Sequence, residues 1–429
     1  MRPATAGGWG KTDKSFLLLF FKKEVLNLML SVEEARARIL SGLTHVAAEI
    51  VPISDAWNRV LAAPVVARLT QPPADVSAMD GYAVRAADAV AGETLRVIGE
   101  APAGHPFGGS VSAGETVQLY TGSVVPAGAD AVLLQEDAAR DGDMIRVCET
   151  IGVGRHVRPR GQDFSAGDTV VRPGQRLTAR QIGLTAAANH PFLSVYRRPE
   201  VAILATGDEV ALPGEPIGPG GIVSSNSHML AAMVRAAGGR PVVLPVARDT
   251  PDAVAEAAAR GLRADILVTT GGASVGTHDV VQAGLAAHGF ALDFWQVAMR
   301  PGKPMIFGRV GGTPVLGLPG NPVSAFACAV LFLLPALRRL AGLPGDAPET
   351  VTARAGAAMR ANDHRADHLR ATLGRDETGA LVATPFAKQD SAMLSLLSAA
   401  DCLVLRAPHA RPVAVGEAVE VILISDGGF

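Results

Sequence analysis

The sequence predicts a multidomain α/β and β protein: a doubly wound, mostly parallel α/β sheet domain with smaller β-rich modules and a C-terminal β domain. The chain of 429 residues corresponds to about three domains at roughly 150 residues each. Strand-like runs alternate with helical patterns over residues 199–340, an order typical of a parallel sheet. Short strand-like stretches separated by turn residues occupy residues 49–175 and 348–429. They predict β modules before and after the parallel sheet in the sequence.

Composition excludes several classes of protein. Hydrophobic residues make up 48% of the chain and charged residues 19%, so there is enough apolar mass for several cores and global disorder is excluded. The net charge of -2 gives no general attraction to nucleic acids or acidic lipids, and we expect neither as a partner. The three widely spaced cysteines form no CxxC pair, which disfavours a disulfide scaffold or zinc site and favours the cytoplasm.

The first 28 residues differ from the rest of the chain. Four of the six lysines lie within the first 23 residues, so we expect residues 1–28 to be an extension that is disordered or not native, with Met29 as a natural start. The apolar run Phe16–Phe21 is shorter than the ~7–15 residues of a signal peptide. The run Ala325–Leu334 is about half the ~18 residues that span a bilayer, and it ends at Pro335, so it predicts a buried helix.

Residues 29–195 begin with a helix. Ser31 and Glu34 form the pattern of a capping box, and Gly42 follows the last turn. A second helix is expected over residues 178–188, with Asn189 as its stop. Between the two helices we expect short strands, the clearest at residues 65–66, 95–98, 117–120 and 131–134.

Residues 196–429 begin with the alternating strands and helices. We predict strands at residues 201–204, 242–246, 265–270 and 315–318. We predict helices from Asn226, from Thr250-Pro251, from Asp279 to His288 and from Pro322. In the last stretch, Val419–Ile424 is the clearest strand.

Three of the predicted parallel strands end in unusual loops: Thr206–Glu209, Thr270–Asp279 and Pro319–Ser324. Ligands bind beyond the carboxyl ends of such strands, so these loops mark the expected site. The glycines of the second loop let backbone N–H groups approach an anion at a helix N-terminus. The same glycines are also compatible with a simple tight turn, and the loop is neither GxGxxG nor a P-loop.

Charged residues cluster near these loops. Asp208, Glu209, Asp249 and Asp279 are suited to Mg²⁺ bound with phosphate. Each acid alone is better explained by helix capping or a solvated surface, but the four together favour a functional role. Lys303, in Arg300-Pro301-Gly302-Lys303-Pro304, is one of two lysines after residue 28, which indicates a specific demand for an ammonium group.

Other motifs are weaker. Arg158–Asp163 is a second basic loop, Met79–Tyr82 is compatible with a hairpin turn, and Thr121–Asp130 is compatible with turn chemistry. His364 and His368 are four residues apart but lack the HExxH pattern, so a metal site there is disfavoured. No GxSxG elbow of a serine hydrolase is present in the sequence.

Seven motifs in order resemble the molybdopterin molybdenumtransferase family, which includes the C-terminal domain of gephyrin. The resemblance covers residues 29–429, and it is carried by Ser77–Ala83, Thr121–Asp130, Arg160–Asp163, Thr206–Glu209, Gly271–Gly276, Pro301–Pro304 and Leu318–Ser324. It implies a linking domain of residues 29–70 plus 164–195, an inserted β-rich domain of residues 71–163, an α/β molybdopterin-binding domain of residues 196–347 and a C-terminal β domain of residues 348–429.

The resemblance also implies an activity. The family inserts molybdenum from molybdate into adenylyl-molybdopterin and releases AMP, with Mg²⁺ assisting. It implies a homodimer, with molybdopterin adenylyltransferase and molybdoenzyme maturation factors as further partners. The implied site lies between the sheet domain of one subunit and the module of Asp80 and Thr121 from the other.

Residue by residue, the resemblance implies three groups. The implied catalytic residues are Asp80, Thr121, Glu209, Asp249, Asp279 and Lys303, of which Glu209, Asp249 and Asp279 hold the metal. The implied molybdate contacts are Arg300, Lys303, Ser324, Arg370 and Ser391. The remaining binding residues are Arg158, Asp163, Gly271, Gly272, Ser274, Pro319 and Pro322, of which Gly271, Gly272 and Ser274 cradle the pterin phosphate.

Two positions depart from the family pattern. Arg300 stands where the motif usually begins with Lys, and Gln296 stands where some members have another Lys. The pocket is therefore expected to carry one cation fewer, with altered affinity for molybdate.

Two other functions remain open from the sequence. One is the sister adenylyltransferase, which shares the sheet domain but consumes ATP and usually lacks the extra β modules. The other is a non-enzymatic scaffold like gephyrin, which would not need the full set of acids and cations. Molybdate-dependent release of AMP separates the three functions.

Overall fold

The computed structural model describes residues 29–271, 280–345 and 347–425. These residues form two units: one combines the residues up to Ala48 with those from Tyr196 onward, and the other is Glu49–Val195. The predictions for residues 1–28 and for Gly272, Ser274 and Asp279 lie outside the described residues.

The elements up to residue 196 confirm the predicted mixture of two helices and short strands. In chain order they are α1 (Val32–Leu40), β1 (Ala48–Pro52), β2 (Val65–Val66), β3 (Val76–Ser77), β4 (Gly81–Val84), β5 (Thr94–Ala101), β6 (Glu115–Leu119), β7 (Ala131–Leu134), β8 (Ala138–Asp141), β9 (Met144–Val147), β10 (Val157–Arg158), β11 (Thr169–Val171), α2 (Ala179–Ala187) and β12 (Phe192–Tyr196).

The predicted helix starts are confirmed. The Ser31 backbone N–H donates to Glu34 Oε2 at 2.9 Å, and the Glu34 N–H donates to Ser31 Oγ at 3.1 Å, which completes the capping box of α1. Helix α2 begins after Thr178, and Asn189 follows it with φ +67°, a left-handed conformation that stops the helix.

A six-stranded sheet forms the core of the unit Glu49–Val195. Its strand order is β7-β4-β6-β5-β9-β8. Strand β5 runs parallel to β6, and the other neighbours are antiparallel. Alternate side chains of β4 enter different cores, since Tyr82 and Val84 pack on one face and Ala83 on the other. This sheet explains why the segment has the short, alternating pattern of a β module.

The next segment is the α/β region. Its elements are β13 (Glu200–Ala205), β14 (Val210–Ala211), β15 (Ile222–Val223), α3 (Asn226–Ala236), β16 (Arg240–Val243), α4 (Pro251–Gly261), β17 (Ile266–Thr270), α5 (Val280–Ala286), β18 (Phe290–Gln296), β19 (Met299–Arg300), β20 (Pro304–Val310), β21 (Thr313–Leu318), α6 (Pro322–Cys328), a π-helical segment (Ala329–Leu333) and α7 (Leu334–Leu340).

The sheet of this region is doubly wound, as predicted. Its order is β16-β13-β17-β21-β20-β18. The first four strands are parallel, and β20 and β18 run antiparallel at one side. Val201 and Ile203 of β13 pack in the core that includes α1 and α3, whereas Ala202 and Leu204 pack in the core that includes α4 and α5.

Two details of this sheet were wrong or missing in the sequence analysis. The strand expected at residues 242–246 occupies Arg240–Val243 instead; it ends before Pro245, which has no N–H to donate to a strand ladder. Strands β18 and β20 were not predicted. The two strands pair antiparallel with each other, with register shifts near Phe294. Strand β18 buries only Phe294 and so lacks the buried run of the parallel strands, whereas β20 buries residues 305–308 and was missed despite that run.

The apolar helix predicted from Pro322 is longer than the sequence indicated. Helices α6 and α7 and the π-helical segment between them form a continuous run of 19 residues. By length and composition alone, this run is long and apolar enough to cross a membrane. Within the fold 89% of its apolar 18-residue window is buried, which agrees with the predicted core helix.

The last segment is the predicted C-terminal β domain. Its elements are β22 (Val351–Ala355), β23 (Ala366–Arg375), β24 (Leu381–Pro385), α8 (Leu394–Ser398), β25 (Cys402–Arg406) and β26 (Ala418–Leu423). The strand order is β19-β23-β24-β22-β26-β25, and an additional pairing of β23 with β25 closes a barrel. Strand β19, which belongs to the preceding α/β region of the sequence, therefore pairs in parallel with the barrel strand β23.

Two helical glycines give opposite predictions for stability. A Cβ at Gly284 of α5 would lie 2.7 Å from Val254 of α4, whereas a Cβ at Gly183 of α2 would have no neighbour within 4 Å. We expect Gly284→Ala to lower the free energy of unfolding by about 1–3 kcal/mol through overpacking. We expect Gly183→Ala to raise it by about 0.4–1 kcal/mol, because alanine lowers the entropy of the unfolded chain. Urea unfolding followed by circular dichroism measures both, and equal midpoints for the two variants would contradict this packing of α4 against α5.

Candidate functional site

The carboxyl ends of three neighbouring parallel strands meet at one edge of the α/β sheet. Ala205 of β13 pairs with Thr270 of β17, and Thr270 pairs with Leu318 of β21. The loops that follow these strands therefore start side by side, as the sequence predicted.

Asn226 ties two of these loops together. Its Nδ2 donates to Thr270 Oγ1 and to the Gly320 carbonyl oxygen, both at 2.8 Å. Its Oδ1 and the Oγ1 of Thr206 are buried without a hydrogen-bond partner among the described residues. The sequence predicted Asn226 only as the start of a helix. An amide side chain at the start of a helix near the site loops is the feature that could have indicated its role. This edge of the sheet thus offers acceptor oxygens that a ligand can satisfy.

Gly271 begins the glycine loop in a conformation that only glycine adopts without strain. Its φ is +92°, and a Cβ would lie 2.5 Å from the Thr206 carbonyl oxygen. The backbone therefore passes close to the neighbouring strand end at this point. The remaining predicted residues of this loop lie outside the described part of the chain.

Three carboxylates gather beside the same edge. Thr206 forms an isolated parallel bridge with Ala247, and the Asp249 N–H donates to Asp208 Oδ1 at 3.4 Å. Partial burial raises the pKa of the Asp249 carboxyl because it disfavours the charged form, and the charges of Glu209 and Asp208 raise it further. Glu209 and Asp249 therefore lie close enough for their charges to interact, and their role as metal ligands stays a prediction. Among the described residues, no three His, Cys, Asp or Glu side chains form a ready-made metal site.

Arg300 is bound to acids of the C-terminal barrel. Its Nε and Nη2 donate to the two carboxylate oxygens of Asp367 at 2.8 and 2.6 Å. Weaker contacts join Nη1 to Asp363 Oδ2 at 3.4 Å and Nη2 to Asn362 Oδ1 at 3.3 Å. The bond to Asp367 raises the pKa of the guanidinium above its ordinary value. A direct contact of Arg300 with molybdate stays a prediction.

Lys303, three residues later, is in a different situation. Its side chain is exposed and forms no ion pair with the described residues. Its carbonyl oxygen accepts from the Val297 N–H at 3.0 Å. Gly302 has φ +113°, and a Cβ there would lie 2.7 Å from Cys328 Sγ of α6, so the loop lies directly on that helix. The loop is therefore fixed while the ammonium group stays available.

Arg370 is buried, with 1% of its surface exposed. Its guanidinium donates to the carbonyl oxygens of Lys388 at 3.4 Å, Asp390 at 2.9 Å and Met393 at 3.0 Å. Burial lowers the pKa of the guanidinium below its ordinary value. Arg370 thus holds the segment of residues 388–393, and its predicted contact with molybdate is untested.

The segment of residues 388–393 touches the start of α6. The Ser391 carbonyl oxygen accepts from the Val323 N–H at 3.1 Å, next to Ser324. Ser324 is buried and Ser391 is half-buried. Gln389, which the sequence analysis did not identify, supports the segment because its Oε1 accepts from the Arg370 N–H at 3.0 Å. Pro322 begins α6, and the Pro319 carbonyl oxygen accepts from Thr270 Oγ1 at 3.4 Å, so both prolines lie at this edge.

The predicted residues of the unit Glu49–Val195 form a second group. Asp80 Oδ1 accepts from the Thr121 N–H at 2.6 Å and from Thr121 Oγ1 at 2.8 Å, and these bonds lower the pKa of Asp80. Arg158 pairs with Val76 on strand β3, which leads into the Asp80 turn. The Asp163 N–H donates to the Gln71 carbonyl oxygen at 3.1 Å. Both Arg158 and Asp163 are exposed.

Comparison with known proteins identifies the family. Three family models match in order: "MoeA N-terminal region (domain I and II)" over residues 30–189, "Probable molybdopterin binding domain" over residues 202–339 and "MoeA C-terminal region (domain IV)" over residues 352–424. A molybdopterin molybdenumtransferase from Nostoc sp. is 36% identical, over 76% of this chain and 77% of the relative. One from Haemophilus influenzae is 30% identical, over 92% of this chain and 98% of the relative.

The chain belongs to the molybdopterin molybdenumtransferase family. A solved molybdopterin biosynthesis moeA protein from Pyrococcus horikoshii has the same fold, with a TM-score of 0.80 at 28% identity over 92% of this chain and all of that chain. The predicted fold class and family are confirmed, and the protein is a transferase of molybdenum cofactor biosynthesis.

The Asp80–Thr121 contact of this transferase gives a pKa prediction. We expect Thr121→Val to raise the pKa of Asp80 toward its ordinary value, since one donor is lost, while the backbone N–H keeps the pKa below that value. Because the folded pKa is lowered, this contact stabilises the fold above the unfolded pKa of Asp80, and the contribution disappears as pH falls through the folded pKa.

Carbon-13 NMR titration of the Asp80 carboxyl group measures this pKa. Thr121→Ser is the matched control, because it keeps the hydroxyl and should keep the lowered pKa. An identical Asp80 titration in Thr121→Val and the parent protein would show that the hydroxyl contact is not formed in solution.

Proposed function

We propose that this transferase moves molybdenum from molybdate to molybdopterin and releases AMP from adenylyl-molybdopterin. The observation that supports this most strongly is the surrounding of Lys303. A fixed loop presents an ammonium group that forms no ion pair with the described residues, and that loop packs on α6, whose first turn carries Ser324 and contacts the Ser391 segment.

Molybdate is a dianion with four oxygen atoms, so its site needs positive charge and several donors. The Lys303 ammonium supplies charge and three N–H donors, and the hydroxyls of Ser324 and Ser391 supply one donor each. In the first turn of α6, Pro322 has no N–H, and the N–H groups of Val323 and Ala325 donate to the carbonyl oxygens of Ser391 and Asn321. The Ser324 N–H is therefore the backbone donor that this turn adds. Together these groups bind and orient an oxyanion without a protein nucleophile.

The adenylylated substrate suits the glycine edge of the same sheet. Gly271 lets the backbone turn tightly beside Thr206 and Asn226, whose buried oxygens face no other partner in the described structure. Cleavage of the phosphoanhydride develops negative charge on the phosphate oxygens. Preformed cations and donors at this edge stabilise that charge, which is the usual source of catalysis in such sites.

The acids beside the edge fit a magnesium ion. Glu209, Asp249 and Asp208 offer only oxygen ligands, which Mg²⁺ prefers. Partial burial raises the pKa of Asp249, and the charges of Glu209 and Asp208 raise it further, so a bound cation would stabilise its ionised form. Glu209 and Asp249 would hold the ion, with Asp279 as a further ligand from the undescribed segment. When bound, the ion supplies Lewis-acid stabilisation of the phosphate oxygens. The protein residues bind and orient the substrates.

We place the reaction in the cytoplasm, where thiols stay reduced. All three cysteines are free: Cys148 is exposed, and Cys328 and Cys402 are buried. Burial raises the pKa of Cys402 to about 12, so this thiol stays protonated and unreactive.

Lys303→Ala tests the proposal. We expect molybdate-dependent AMP release to fall by about 10²–10³-fold, the usual cost of losing one stabilising donor in a preorganised site. Binding of adenylyl-molybdopterin, measured by equilibrium dialysis without molybdate, should stay within a few-fold of the parent. AMP release is quantified by chromatography at saturating adenylyl-molybdopterin.

Lys388→Ala is the matched control, because Lys388 is the other lysine in the described chain and is also exposed. We expect this variant to retain activity within about threefold of the parent. Full turnover by Lys303→Ala, or equal losses in both lysine variants, would refute a specific role for Lys303.

A further inference from the structure

We propose that Asp367 is a positioning residue for the transfer of molybdenum: its ion pair with Arg300 fixes the loop that carries Lys303. This inference rests on the proposed function. It assigns a role to a residue that touches neither substrate. It also changes the expected role of Arg300 from a contact of the oxyanion to one half of an ion pair that holds the loop, called the clasp below.

The geometry of the pair supports positioning. Asp367 is 8% exposed and lies on β23, where both of its carboxylate oxygens are taken by the planar fork of Arg300. A bidentate pair of this kind fixes orientation as well as distance. Asn362 adds a third contact, and its own Nδ2 is held by the carbonyl oxygens of residues 365, 406 and 407.

The backbone around Arg300 needs such a clasp. Strand β19 is only two residues long, and it pairs in parallel with β23 through Met299–Ala366 and Arg300–Asp367. The Ala366 N–H donates to the Ala298 carbonyl oxygen at 2.8 Å. A ladder this short constrains the start of the loop weakly, so the ion pair fixes that start, while the Val297–Lys303 hydrogen bond and the contact of Gly302 with α6 fix the rest. Lys303 follows three residues later, beyond Gly302 on α6.

The charge around Arg300 argues against a role as the oxyanion contact. Arg300 and Arg365 are positive, and Asp363 and Asp367 are negative, so this cluster carries no net charge. The side-chain hydrogen bond from Arg365, with the charges of both arginines, lowers the pKa of Asp363 to about 2, so that acid is ionised at neutral pH. A dianion at Arg300 would meet two carboxylates, whereas Lys303 has no acid partner among the described residues.

The first experiment measures the kinetic parameters of Asp367→Asn, Arg300→Gln and the double variant. We expect each single variant to raise the KM for molybdate about tenfold. We expect kcat to change less than threefold and the KM for adenylyl-molybdopterin to stay constant. The KM of the double variant for molybdate should be no higher than that of the more impaired single variant, because both changes break the same contact.

Conservative variants separate geometry from charge. Arg300→Lys keeps the charge but loses the fork, and we expect a several-fold higher KM for molybdate. Asp293→Asn is the control, because it removes the acid of an exposed Arg38–Asp293 pair and should leave both KM values within twofold. Asp367→Glu replaces Asp367→Asn if that variant does not fold, and it should raise the KM for molybdate less than Arg300→Gln does.

The opposite pattern overturns the proposal. If Arg300 binds molybdate directly, Asp367→Asn frees it and leaves or lowers the KM for molybdate, while Arg300→Gln raises the KM and the two effects add. A parallel loss of affinity for both substrates, or a lower kcat alone, would also contradict positioning.

A second measurement distinguishes this proposal from the proposed function. Amide hydrogen exchange of residues 297–304 needs no substrate, and we expect it to be about tenfold faster in Asp367→Asn than in the parent. If the parent protein releases AMP with molybdate but exchange in Asp367→Asn is unchanged, the positioning role of Asp367 is refuted and the proposed function stands. A parent protein that releases no AMP with molybdate overturns the proposed function, and the positioning role falls with it.

Discussion

The parallel alignment of β13, β17 and β21 is the constraint on which the site depends. Because the three strands run the same way in register, the chain must leave each of them at the same edge of the sheet. Gly271 and Asn226 then keep the loops close, one by allowing a tight backbone approach and the other by bonding two loops at once. The acids, the glycine edge and the first turn of α6 are consequences of that alignment.

The C-terminal barrel adds a second level of organisation through one strand. Strand β23 carries Asp367, which holds Arg300, and Arg370, which holds the segment of Ser391. Two arginines are therefore engaged within the protein: Arg300 is exposed and paired with Asp367, and Arg370 is buried, where its charge needs hydrogen-bond partners. Lys303, without such a partner in the described structure, keeps its charge for a ligand. The number of cations in a sequence motif thus overstates the charge that the folded site offers.

Much of the fold was predictable because its signals are local. The capping box at Ser31, the buried runs of β13 and β17 and the helix after Thr250 each follow from a few neighbouring residues. The antiparallel strands β18 and β20, the early end of β16 and the pairing of β19 with β23 were missed. These features depend on contacts between distant residues, and a two-residue strand has no periodicity to detect.

The candidate site was predictable as a set of loops, and its internal bonding was not. The resemblance to the family placed Arg300, Lys303 and Arg370 in one group, as contacts of molybdate. Their partners are carboxylates and carbonyl oxygens brought by the barrel, at separations of 67 residues for Arg300 with Asp367 and 23 for Arg370 with Met393. Only the folded chain shows that, of these three cations, Lys303 is the one whose side chain has no partner among the described residues.

The most direct test of this account is the position of molybdenum in crystals of the enzyme with molybdate and adenylyl-molybdopterin, located by anomalous scattering at the molybdenum edge. The account predicts one peak with oxyanion density within hydrogen-bond distance of Lys303 Nζ and the hydroxyls of Ser324 and Ser391, while Arg300 stays paired with Asp367. A peak against the Arg300 guanidinium with Asp367 displaced, or a peak remote from Lys303, would contradict it.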